Sequence, residues 1–209
     1  MKKFFTLLLV VSIFSIMSYA QMQIGPKAGL NIANLGGNDA DEIVGKSLDS
    51  KTGFAGGVFF MYQFSNMFAI QPEAYYTMKG ATYSEGGADL TISLDYIEVP
   101  ILVKFIIPIE GSNIKPSIFA GPSIGFNMTA KSKVEFEGES QENDFKDDTK
   151  STEFSLAFGG GIGFSVGNGE LGVDIRYILG MSTFDDSSDP LDLKNNVINF
   201  NLYYGFSLK

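Results

Sequence analysis

Cysteine and histidine are both absent from the 209 residues. Their absence removes disulfides, thiolate nucleophiles, most zinc sites and the commonest general base. Enzyme classes that depend on either residue are excluded, and stability has to come from burial or from a closed hydrogen-bond network. Basic residues are scarce, with 15 Lys and Arg against 24 Asp and Glu for a net charge of −9. Phosphate recognition draws on Lys and Arg clusters, so nucleic acid is not an expected partner. Beyond the first twenty residues no apolar run approaches the ~20 residues of a membrane-spanning helix.

Those first residues have three parts. Lys2 and Lys3 are a positive start, Phe4 to Met17 is apolar, and Ser18-Tyr19-Ala20 supplies small residues at the positions a signal peptidase reads. Residues 1–20 are therefore expected to be a secretory signal peptide cleaved before Gln21, and 21–209 a single domain. No Cys follows to carry a lipid anchor. Losing the two lysines leaves 13 basic and 24 acidic residues, a charge of −11.

Past the signal there is no helical period of useful length. Period-2 alternation recurs instead, between clusters of Gly, Asn, Asp and Ser. Ile24, Pro26, Ala28, Leu30 and Ile32 oppose Gln23, Gly25, Lys27, Gly29 and Asn31. Similar stripes run from Phe54 to Phe64, Phe68 to Met78, Ile97 to Phe105, Ile118 to Met128, Phe154 to Val166, Leu171 to Leu179 and Ile198 to Phe206. In the fifth, Ser117, Gly121, Ser123, Gly125, Asn127 and Thr129 are expected on the polar face. About eight strands result. Short turns are expected near Ser65-Asn66, 108–113 and 167–169, and longer polar loops near 35–50, 83–90, 131–152 and 184–194. Short periplasmic turns alternating with longer outer loops characterise transmembrane barrels, and an even strand count returns both ends to the periplasm.

The polar stripe decides between lipid and water outside. A water-facing sheet is rich in Lys, Glu, Asp and Arg, whereas this stripe is mainly Gly, Ala, Ser, Thr and Asn with isolated charges. Small residues suit the crowded lumen of an eight-stranded barrel. Tyr62, Phe64, Phe68, Phe105, Phe164 and Phe206 are expected at the periplasmic rim and Tyr76, Phe126 and Phe154 nearer the other, as interfacial girdles. The expected fold is thus all-β: an eight-stranded antiparallel up-and-down transmembrane β-barrel in the outer membrane, monomeric and surrounded by lipid. A soluble lipocalin-like binding barrel is the alternative, and it would require an apolar lumen.

Four stretches carry a family resemblance. They are Gly25-Pro26-Lys27-Ala28-Gly29-Leu30-Asn31 with Asn34-Leu35, Leu94 to Pro100 with Leu102 and Lys104, Phe119-Ala120-Gly121-Pro122-Ser123, and Arg176-Tyr177 with Gly180. In this order the chain resembles the PorT-like outer-membrane β-barrel family of Bacteroidota. The resemblance implies the barrel fold, and through the family's name-bearing members a link to protein secretion and gliding. The C-terminus departs from many barrels, which end on an aromatic residue, because Phe206 is followed by Ser207, Leu208 and Lys209.

Glu73, Lys79, Glu98, Lys104, Asp174 and Arg176 all fall on the lumenal stripe. Ionised groups in a narrow lumen must be paired, so a salt-bridge network is expected, either as a plug that fixes strand register or as an ion path. Catalysis by Glu73 and Glu98 is disfavoured, since a Lys or Arg available to each would hold it ionised. No catalytic residue, cofactor or metal site is assigned. Glu135, Glu137, Glu139, Glu142, Asp144, Asp147 and Asp148 make residues 131–152 an acidic outer loop, expected to be solvated and mobile, and a protein partner is expected there or at the periplasmic rim. Calcium or magnesium among these and Asp185, Asp186 and Asp189 has no defined ligand spacing behind it. Gly159-Gly160-Gly161 with Gly163 reads as a bend or tight contact rather than a phosphate loop, because no helix follows.

Overall fold

The alternating stripes fold as continuous antiparallel strands in the computed structural model, which describes residues 21–40, 45 and 48–208. The expected signal peptide lies outside the described residues. In chain order the strands are β1 Gln21–Gly36, β2 Asp49–Gln63, β3 Phe68–Glu85, β4 Ala88–Ile106, β5 Ile114–Phe136, β6 Glu139–Asp144, β7 Thr152–Val166, β8 Gly169–Gly180 and β9 Lys194–Leu208. Each pairs with its sequence neighbour, except that β5 pairs with β7 along the wall and with β6 beyond it. Pairing of β1 with β9, from Met22↔Leu208 to Gly36↔Lys194, closes a ring of eight: β1 to β5 and β7 to β9. Closure satisfies every wall edge, which an open sheet in lipid could not do.

One end of the ring carries Gln21, Leu208 and the short connections 64–67, 107–113 and 167–168. This turn end is the periplasmic end in bacterial barrels; the opposite, loop end carries 37–48, 86–87, 137–151 and 181–193. Outward apolar side chains such as Leu30, Val58, Val103, Ile118, Ile175 and Leu202 are exposed, while Asn31, Phe59, Leu102, Phe119, Asp174 and Tyr203 next to them in the strands are buried. On β4 the outward stripe runs from Phe105 to Ile97, roughly the 9–11 residues a tilted strand needs to cross a bilayer. It then turns polar at Asp95, which accepts a 2.6 Å hydrogen bond from the Tyr76 hydroxyl. At the turn end, Phe68 lies 6.3 Å from Phe64 and 5.3 Å from Phe105 between ring centroids, and Tyr204 lies 4.8 Å from Phe206, forming a rim of packed aromatics.

Two expected loops are ordered hairpins. Residues 83–90 are not a long polar loop: β3 and β4 run straight to a two-residue turn at Gly86-Gly87, both with positive φ, as a type I′ turn requires. Residues 131–152 are not a mobile loop either. β5 continues to Phe136, turns at Glu137 (φ 51°) and Gly138 (φ 86°), and returns as β6, followed by a short 3-10 turn at Lys146–Asp148. Alternation of Lys131, Lys133 and Glu135 with Ser132, Val134 and Phe136 continues the strand, and the charge density of the segment masks it. The expected lumenal position of Thr129 is also displaced. Asp95 pairs with Thr129 but Tyr96 with Asn127, so Met128 is bulged and Ala130 takes the buried face.

Candidate functional site

Lumenal side chains stack in layers along the barrel axis. Nearest the turn end, Phe59, Met61, Ala69, Ile106 and Tyr203 form an apolar cluster. At the loop end, Leu94, Ile92, Ala81 and Tyr96 pack with Ala40 and Leu48 of the first outer connection and Phe184 and Leu193 of the last. That second cluster caps the mouth. Between the caps lie two ionic layers.

The lower ionic layer, toward the turn end, centres on Arg176 of β8 and Glu73 of β3, which stand on opposite sides of the ring. Arg176 donates from Nη1 to Glu73 Oε2 at 2.7 Å and from Nη2 to Oε1 at 3.1 Å, a fork-to-fork pair spanning the lumen. Lys27 of β1 lies 3.0 Å from Glu73 and 2.7 Å from Asp174. Asp174 also meets Arg176 Nε at 3.3 Å and accepts from Asn201 at 2.7 Å. Two cations thus face two carboxylates. The gap beside them, lined by Lys27, Glu73, Tyr75, Arg176, Asn199 and Asn201, is too narrow for a water molecule.

The upper ionic layer centres on fully buried Lys79, which donates to both Glu98 and Glu153, the latter at 3.1 Å. One cation serves two carboxylates, and neutral donors complete the shell: the Tyr75 hydroxyl to Glu98 and Asn195 Nδ2 to Glu153, each at 2.6 Å. Lys79 also sits 4.7 Å from the Tyr96 ring centroid. An amide chain leads away from Asp174 of the lower layer. Asn31 donates to Thr77 at 2.7 Å, Asn199 to Asn31 at 2.6 Å, and Asn201 to both Asn199 and Asp174.

Glycines make room for these charges. Gly159 and Gly161 of β7 pair with Arg176 and Asp174 of β8. A Cβ at Gly159 would lie 3.0 Å from the Arg176 Cβ, and one at Gly161 2.8 Å from that of Asp174. The glycine run is therefore a tight contact that accommodates the lower layer.

All six residues expected in the lumen point into it and are buried. The fold brings Glu73, Asp174 and Arg176 together, joins Lys79 to Glu98, and leaves Lys104 in neither group. Sequence reasoning placed Lys27 on the lumenal face without adding it to the network, and it missed Glu153 and Glu170 altogether. Both lie one residue outside the stripes that begin at Phe154 and Leu171, so extending the parity by one step would have found them. Among the described residues no cluster of three or more acidic side chains could hold a metal ion, and none of their helices is long and apolar enough to cross a membrane.

The attachment invasion locus protein Ail of Yersinia pestis is similar to this chain, with 19% identity and a TM-score of 0.46 over 88% of this chain and 98% of that one. Neisserial surface protein A gives 14% identity and a TM-score of 0.48 over 86% and 95%. OprG of Pseudomonas aeruginosa gives 12% and 0.44 over 90% and 95%. No curated protein matches the chain significantly. A family model described as outer membrane protein beta-barrel domain matches residues 18–186. That match covers most of the chain and agrees with the closed ring and its lipid-facing apolar band, so the chain belongs to the outer membrane protein beta-barrel domain family and resides in the outer membrane.

Proposed function

We propose that this barrel is a closed scaffold whose work is protein contact at its loop end rather than conduction. The observation that carries the reading is the lower ionic layer, where side chains from opposite walls are bonded across the lumen and the gap beside them admits no water. Opening an ion path would mean separating a bidentate buried pair, at a cost of about 3–5 kcal/mol. The loop end is built differently. β3, β4, β5 and β6 continue past the lipid band as a projecting sheet, and among the described residues β6 pairs on only one side. Val134 and Phe136 stay exposed there beside the acidic residues of β6. An open strand edge with apolar neighbours suits a protein partner.

The finer role follows the PorT-like resemblance: contact with components of secretion or gliding machinery. Conductance in a planar bilayer tests the main reading. The folded protein should give no steady current steps, whereas Glu73→Ala with Arg176→Ala should. Regular steps from the unaltered protein would favour the narrow pore. Crosslinking from the β5–β6 hairpin in intact cells, followed by identification of the partner, tests the finer role.

A further inference from the structure

The projecting sheet at the loop end is lopsided in charge. Residues 131–144 carry Lys131 and Lys133 against Glu135, Glu137, Glu139, Glu142 and Asp144, two basic against five acidic. The tip of the β3–β4 hairpin beside them adds Glu85 and Asp89 and no base, and the turn after β6 sets Lys146 against Asp147 and Asp148. Both lysines of the β5–β6 hairpin are engaged, Lys131 with Glu142 at 2.6 Å and Lys133 with Glu135. Among the described residues Asp89, Glu137 and Glu139 have no cation within ion-pair distance.

The open edge of β6 lies within this acidic surface. Phe136 and Glu139 close a two-residue turn as a bonded pair, so in an antiparallel ladder Ser140, Glu142 and Asp144 turn their backbone groups away from β5. Side chains of those three share the outer face of the sheet with Lys131, Lys133 and Glu135. The other face continues the apolar cluster at the barrel mouth, because Val134 pairs with Leu90, which packs against that cluster. There Val134 is 44% and Phe136 49% exposed, and they line a notch of about 420 Å³ that reaches the edge at Ser140 and Gln141. We infer that the open edge of β6 takes a further strand from a partner protein, an extended segment that alternates Lys or Arg with apolar residues. The assignment rests on the loop-end contact proposed above and names the chemistry of its partner.

Charge and face set that chemistry. Cations of the added strand would stand opposite Glu142 and Asp144 on the outer face, with its apolar side chains over the notch. A second copy of β6 would bring acidic side chains against their own kind, and like charges directly opposite are destabilising. The carboxylates are also strung along the sheet, since among the described residues no three acidic side chains are placed to hold one metal ion. A row of cations on one chain suits them better than a single ion.

Fluorescence anisotropy of a capped, labelled peptide that alternates lysine with valine over the length of β6 tests the assignment on the whole barrel, folded in non-ionic detergent. Binding should saturate, and Glu142→Gln with Asp144→Asn should weaken it about tenfold, as two lost cross-strand charge pairs would. Heat-modifiable gel mobility checks the fold of that variant. N-methylation of the lysines, whose amides would face β6, should abolish binding, and N-methylation of the valines should spare it. Equal effects of the two methylated peptides would overturn strand addition, and an unaltered affinity in the double variant would overturn the charge match. If no peptide binds while the β5–β6 hairpin still crosslinks to a protein in cells, the basic strand is wrong and the loop-end contact stands. Dimerisation of the barrel that the double variant strengthens would give the edge to a second copy and overturn the assignment.

Discussion

The two ionic layers of the lumen solve one problem in different ways. The lower layer matches Lys27 and Arg176 with Glu73 and Asp174, and Glu73 receives both arms of the Arg176 fork. The upper layer gives Glu98 and Glu153 a single cation, Lys79, and relies on Tyr75 and Asn195 for the remaining donors. In the first, each charge is the counter-ion of another, so removing one strands its partners. In the second, the carboxylates exceed the cations by one, and losing that surplus charge leaves a balanced pair. Equal burial therefore does not mean equal sensitivity.

The largest expected effect is at Glu73. Glu73→Gln leaves Lys27 and Arg176 to share Asp174 inside the lumen, and should destabilise the barrel by about 3–5 kcal/mol in urea unfolding. Glu98→Gln should cost less, about 1–2 kcal/mol, the range of a lost hydrogen bond to a charged group, because Lys79 keeps Glu153 at 3.1 Å. If the two substitutions cost the same, the contrast between balanced and surplus charge is wrong. The smallest effect concerns the cap above the upper layer. Asp185 accepts from the backbone N–H groups of Ser187 at 2.9 Å and Leu191 at 2.7 Å. Burial works to raise its carboxyl, but these bonds outweigh burial and hold its pKa below the ordinary 3.8. Their stabilisation is present at neutral pH and is lost as pH falls through the lowered pKa, below 3.8. The protection factors of the Ser187 and Leu191 amides, with the intrinsic pH dependence of exchange divided out, should therefore fall in acid, while Asp185→Asn should lower them already at neutral pH and leave the lower layer unchanged.

Much of this architecture was legible from single residues. Lys27 to Asn31 in β1 and Tyr96 to Lys104 in β4 alternate so strictly that each lumenal position follows from parity. Parity failed at Thr129, where the Met128 bulge adds a residue that no local pattern announces. Turn chemistry was misjudged where Glu137-Gly138 closes a hairpin, since a charged, polar stretch reads as loop unless its alternation is followed through.

The sequence by itself determined which side chains enter the lumen, because a strand's period of two is a local property of the backbone. It also determined the membrane as solvent, because apolar stripes facing small residues fit lipid outside and a crowded interior. Only the tertiary structure decided who pairs with whom. Arg176 reaches Glu73 on the opposite wall as well as Asp174 beside it, because strand stagger and ring closure set the height of each residue in the lumen. Those heights depend on eight registers taken together, and no one segment carries them.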